Sequence, residues 1–152
     1  MTSESGSSHM QVALSEARLA AGRGEVPVGA VLVAPNGKPF MSDGNRTRER
    51  SDPTAHAEIV VIRQACQALG SERLGSFDLY VTLEPCAMCA AAISFARIRR
   101  LYFAAADPKM GAVESGQRFF NQPTCHHVPE VYGGLGESDS AVLLRSFFEK
   151  RR

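Results

Sequence analysis

Apolar residues recur at helical spacing from Met10 to Gly22, where Val12, Leu14, Ala17, Leu19 and Ala20 supply the hydrophobic positions. Gly22 and Gly24 end the pattern. Val26 to Val33 is short, β-branched and mostly apolar, which predicts a buried strand. Pro35-Asn36-Gly37-Lys38 is turn chemistry, so Pro39 to Ser42 can return as the second arm of a hairpin. Asp43 to Asp52 is polar and loop-like. Helical spacing resumes after Asp52-Pro53-Thr54, a capping side chain followed by a proline whose missing N–H costs nothing in a first turn. That helix is predicted to run to about Ala68, with Val61, Ala65 and Leu69 on one stripe, Ile59, Ile62 and Cys66 widening it, and Gly70 as the stop. Leu79 to Leu83 reads as a strand that ends abruptly at Glu84-Pro85. Cys86 to Ala96 is small and apolar, as suits a helix lying on a sheet. Arg100 to Ala105 and Val128 to Tyr132 read as further strands, and Ser138 to Arg152 as a closing helix with cations in its last turn.

Strands alternating with helices imply an α/β sandwich whose sheet is covered on both faces. At 152 residues the chain fits one domain, expected over residues 10–152, and can bury a core without disulfides. Residues 1–9 are expected to be a disordered lead-in or the remnant of a tag. Gly111 to Cys125 is a long irregular stretch of the kind that usually carries function. The formal net charge of +1 argues for no particular partner, so any nucleic-acid contact must come from local patches. Two candidates are Arg46, Arg48 and Arg50 in one loop, and Arg145, Lys150, Arg151 and Arg152 at the end. No run of about 18 apolar residues suggests a membrane span, and the start lacks the apolar core of a signal peptide. Four cysteines in an unexported chain point to metal or thiol chemistry rather than a disulfide framework.

The chemistry concentrates in His56-Ala57-Glu58 and Pro85-Cys86-Ala87-Met88-Cys89, each at the opening of a helix. Cys86 and Cys89, spaced i and i+3, can grip one ion from one helix face, and a positive helix start favours their thiolates. His56 supplies a third ligand, and three protein ligands leave the fourth tetrahedral place open, as in a catalytic zinc site. Zinc there lowers the pKa of water from about 15.7 to roughly 7, and Glu58 is the carboxylate placed to move the protons. Because i and i+2 diverge on a helix, Glu58 must reach that water from irregular first-turn geometry. A bare Cys-x-x-Cys also suits a thiol redox pair. His-x-Glu followed by Pro-Cys-x-x-Cys is far more specific, and is the signature of zinc nucleobase deaminases. Cys66 falls on an apolar helix stripe and reads as core, while Cys125 as a fourth ligand would close the site.

Beyond that signature, Glu25-Val26-Pro27-Val28-Gly29-Ala30-Val31, Gly44-Asn45-Arg46, Asp52 to Glu58, Tyr80 to Cys86, Ala92 to Ile98, Asp107-Pro108-Lys109 with Gly111-Ala112, and Phe147-Phe148 together resemble the bacterial tRNA-specific adenosine deaminases of the cytidine deaminase-like superfamily. The resemblance runs from about Met10 to Arg152. It implies a three-layer α/β/α sandwich around a mixed five-stranded sheet, and one Zn2+ per subunit held by His56, Cys86 and Cys89. It also implies a cytoplasmic homodimer that converts adenosine to inosine at the wobble position of an arginine tRNA anticodon. By position, Asn45 would hydrogen-bond the flipped base beside Ala57, Asp107 and Lys109 would lie by the neighbouring sugar and phosphate, and Phe147 and the terminal arginines would contact the anticodon loop. Bases of such a loop are already unstacked, so extrusion costs little. The chain departs from the family at His126-His127, where many members carry Asn-His. A guanine or cytosine deaminase acting on free base would share the zinc signature but need a closed pocket. A non-catalytic zinc-stabilised RNA-binding module would have no use for Glu58.

Overall fold

The apolar runs pair side by side in a computed structural model that describes residues 3–151, with side chains from Gly6 onward. Five strands, β1 (Gly29–Val33), β2 (Pro39–Gly44), β3 (Asp78–Leu83), β4 (Arg100–Ala105) and β5 (Glu130–Gly133), form one sheet in the order β2-β1-β3-β4-β5. The β1 strand is antiparallel to both β2 and β3, whereas β3, β4 and β5 run parallel, so the sheet is mixed. The helices are α1 (Ser3–Gly22), α2 (Ala57–Leu69), α3 (Ala87–Ala96) and α4 (Glu137–Glu149). One core, built from Val61, Ala65, Ile93, Leu79, Leu101 and Phe103 among others, lies beneath α2 and α3. A second, with Met10, Leu14, Val31, Val33 and Tyr80, lies beneath α1. Three layers result, as the sequence implies.

Helix α1 departs from expectation in two ways. It starts at Ser3, so the stretch expected to be a disordered lead-in or tag remnant is helical from there; Met1 and Thr2 lie outside the described residues. The reason is packing: the Gly6 backbone sits against Leu135, and the buried His9 ring tilts onto Tyr80 at 5.2 Å. The buried stripe is Met10, Ala13, Leu14, Ala17 and Ala20, while Leu19 faces outward. Alanine is needed at positions 13, 17 and 20 of that stripe because the helix there nearly touches the sheet at Gly29 and Gly44. A Cβ on Gly29 would lie 2.0 Å from the Ala13 carbonyl oxygen.

The helix predicted from Asp52-Pro53-Thr54 begins at Ala57 instead, with His56 as its cap. Asp52 Oδ1 accepts the Thr54 N–H and hydroxyl at 2.9 and 2.7 Å, which makes Asp52-Thr54 a turn rather than a helix start. Helix α4 stops at Glu149, so Lys150 and Arg151 follow its last turn rather than sitting within it; Arg152 lies outside the described residues.

Candidate active site

His56 and Cys86 occupy the same structural position on adjacent helices. Each is an N-cap with extended backbone, at φ −68°, ψ 155° and φ −73°, ψ 177° respectively. An N-cap side chain folds back over the first turn, which is why these two residues and Cys89, three past its own cap, converge. This geometry also removes the difficulty over Glu58. Since His56 precedes the helix, it and Glu58 are not bound to the diverging directions of i and i+2.

His56 Nδ1 lies 3.6 Å from Cys86 Sγ and 3.5 Å from Cys89 Sγ, and among the described residues these three form a metal-ligating cluster. A tetrahedron with Zn–N of about 2.05 Å and Zn–S of about 2.3 Å has N···S edges of about 3.6 Å, so the donor set fits zinc in spacing as well as chemistry. Charge points the same way. Cys86 is pulled down to about 4 by hydrogen bonds with Cys89 and His56, and its partnership with Cys86 holds His56 above the usual range. The Cys89 thiol, donating to Cys86 and buried against Glu58, is held strongly up. Glu58, 4% exposed, is pushed up to about 7 by burial. Two thiols and a carboxyl crowded around one imidazole are an electrostatic demand for a cation.

The tripod opens into a cavity of about 210 Å³ lined by Val26, Val28, Asn45, Leu83, Asp107 and Met110. Asn45 Oδ1 accepts the Ala57 N–H at 2.9 Å, which leaves its Nδ2 donors as what it can offer a base. Ala57 is fully buried and its N–H is already taken by Asn45, so the structure places it behind the cavity wall. Asp107 lines the cavity, and its Oδ1 accepts the N–H groups of Lys109 and Met110 at 3.1 Å.

Val26, Leu83, Asp107 and Met110 also line a groove of about 700 Å³ that continues past Lys109, Leu144, Phe148 and Arg151. Phe147, expected to meet RNA, is a correction. It is buried, with the Arg151 guanidinium 3.7 Å above its ring, and the ring facing the groove is its exposed neighbour Phe148. Helical period decides this, since adjacent residues point about 100° apart.

Two carboxylates escaped sequence reasoning. Buried Glu84 accepts backbone N–H groups from Asp107, Val113, Glu114 and Ser115, and buried Glu25 accepts those of Arg48 and Glu49. Burial alone would raise both, but these donors hold each below the usual carboxylate range. Neither belongs to the zinc motif, and the signal for them was their place inside the family-like segments Glu25 to Val31 and Tyr80 to Cys86. Of the remaining sequence candidates, Cys66 packs on the core, and Cys125 contacts the Ser94 hydroxyl and the His127 carbonyl, away from the tripod.

A three-layer sandwich with a His-Cys-Cys tripod beside a buried carboxyl defines a zinc-dependent deaminase. Residues 3–105 match the cytidine and deoxycytidylate deaminase zinc-binding region. The chain is 68% identical to a tRNA-specific adenosine deaminase of Agrobacterium fabrum over 94% of its length and 93% of the relative's. A solved structure from studies of A-to-I editing by tRNA:A34 deaminases at the wobble position is 69% identical, with TM-score 0.88, covering 90% of this chain and 98% of that one. A guanine deaminase of Nitrosomonas europaea shares the fold at 21% identity and TM-score 0.80, over 93% and 83% of the two chains. The chain belongs to the cytidine and deoxycytidylate deaminase family, among its tRNA-specific adenosine deaminases.

Proposed function

We propose that this protein is a zinc-dependent hydrolytic deaminase that converts adenosine to inosine at the wobble position of a tRNA anticodon. The observation that carries the reading is that the small cavity at the tripod runs into a larger groove edged by Lys109, Phe148 and Arg151. A free-base deaminase needs a closed pocket, whereas an open groove with cations and an exposed ring suits a single-stranded loop.

His56, Cys86 and Cys89 would hold the metal, which when bound polarises water and brings its pKa down to about 7. Glu58 accepts a proton from the attacking water, delivers it to N1 of the adenine, and carries the second proton to the departing amino group. Burial suits Glu58 to this task, because it raises the carboxylate's affinity for a proton that the attacking water must give up. Asn45, its carbonyl anchored on the Ala57 N–H, offers its amide N–H groups to orient the base.

The substrate we favour is an arginine tRNA, and the working form a cytoplasmic homodimer. Among the described residues no helix is long and apolar enough to cross a membrane. Support for pairing comes from α3, where half-buried Met88, Ala91 and Ala92 run beside Phe95, 81% exposed, at helical spacing. An apolar patch of that kind is what contact with a second copy would cover, and a dimer's mass in sedimentation at micromolar concentration is expected.

Sequencing a purified arginine tRNA after treatment tests the activity. Inosine at the wobble position is expected, with no ammonia released from guanine or cytosine; the reverse pattern would establish the free-base reading.

A further inference from the structure

Glu25 and Glu84 each take all their partners from one loop. Glu25 Oε1 accepts the Arg48 N–H and Thr47 hydroxyl at 3.2 and 3.3 Å, and Oε2 the Glu49 N–H at 2.8 Å. These are leading donors of a helical turn in which the Arg50 N–H bonds the Arg46 carbonyl, so Glu25 caps it from another part of the chain. Glu84 Oε2 accepts three N–H groups, from Val113, Glu114 and Ser115, at 2.9–3.1 Å. Its Oε1 takes the Asp107 N–H and the Ser115 hydroxyl, both at 2.9 Å. Gly111 must be glycine for this cradle to close, since a Cβ there would lie 2.5 Å from Glu84 Cδ. One loop carries Arg48 and the other Lys109.

We propose that Glu25 and Glu84 are positioning residues for the RNA substrate, acting through the two loops they hold. The inference rests on the deaminase reading above. Its logic is one of acceptors. A glutamine offers one oxygen where the carboxylate offers two. If the amide oxygen of a Glu84→Gln side chain serves the three N–H groups, its NH2 faces the Asp107 N–H. The Ser115 hydroxyl can turn to accept, but the Asp107 amide cannot. Asp107 comes loose, and with it the Lys109 and Met110 amides that its side chain holds.

The test is steady-state kinetics of zinc-loaded E25Q and E84Q on an anticodon stem-loop, with metal content measured alongside. KM is expected to rise about tenfold in each, with kcat per bound zinc moving less than about threefold. For E25Q the slope of log KM against log salt should also become shallower by about 0.7, one phosphate contact, as Arg48 is released. A merely structural role would lower the zinc content and active fraction while leaving KM and the salt slope unchanged, and that result overturns the proposal. Should the glutamine variants fail to fold, T47A and S115A each remove a single hydroxyl donor, and KM is expected to rise about twofold to threefold. Unchanged KM in both would equally overturn it. If the unaltered protein forms no inosine, the deaminase reading fails instead.

Discussion

The side-chain oxygen of Asn45 accepts the backbone N–H of Ala57 at 2.9 Å, tying the end of β2 to the residue between His56 and Glu58. One side chain thus orients both the helix that carries a metal ligand and the cavity beside it. Asn45→Ala leaves a buried N–H without a partner, an expected cost of about 1–3 kcal/mol in chemical denaturation. The same variant should lose more than about tenfold in kcat/KM, because the base contact goes with the anchor. Unaltered stability would show that the Ala57 amide does not depend on Asn45.

Glu58 stands beside the tripod without belonging to it. Glu58→Ala should retain one zinc per chain and a cooperative unfolding transition, yet lose about 10²–10⁴-fold in kcat. Metal analysis and inosine formation on the same sample decide the matter, and near-wild-type turnover would remove Glu58 from the chemistry.

Two thiols and an imidazole at tetrahedral spacing make the metal part of the fold as well as of the reaction. Chelation is expected to abolish turnover and lower the melting temperature together, and added zinc to restore both. Activity surviving complete removal, verified by elemental analysis, would refute the assignment.

One arginine from each basic cluster of the sequence comes to Gly24. Arg48 Nη1 reaches the Gly24 carbonyl at 3.5 Å, and Arg151 Nη2 lies 4.0 Å from where a Gly24 Cβ would be. If this rim follows the RNA backbone, Arg151→Ala should weaken stem-loop binding and reduce the slope of log K against log salt by about 0.7. Titrations at several salt concentrations provide the check, and an unchanged slope would place Arg151 outside the footprint.

Glu25 makes the hold on the arginine loop sensitive to acid. Burial opposes its charge, but the Glu49 and Arg48 amides, the Thr47 hydroxyl and nearby Arg23 outweigh it and keep it below the usual carboxylate range. The sign follows: its contribution is complete above the ordinary glutamate value and is lost as pH falls through the lowered one. The stability gap between the unaltered protein and E25Q should therefore be constant near neutrality and narrow below about pH 4.5. A gap that widens on acidification would contradict this.

The His56-Cys86-Cys89 cluster and the carboxyl buried beside it were legible because metal chemistry restricts residue type and short spacing, and both are local properties of a chain. The order of strands and helices was legible for a similar reason, since hydrophobic period records which face is buried. Helix boundaries were less so. Asp52-Pro53-Thr54 has the chemistry of a helix start, but the Asp52 side chain closes a turn and leaves the cap to His56. Leu19 turns outward while Ala13, Ala17 and Ala20 face the sheet, where α1 comes closest to Gly29 and Gly44.

What the sequence by itself determined is therefore the chemistry: which side chains can hold zinc, which can move protons, and which elements carry them. Only the tertiary structure decided what lies around them. It buried Phe147 under Arg151 and turned Phe148 to the groove, brought Arg48 and Arg151 to the same glycine, and set Glu25 and Glu84 beneath loops more than 20 residues away. The physical reason is that a buried carboxylate is specified by the donors that reach it, and donors drawn from backbone amides leave no mark on residue type.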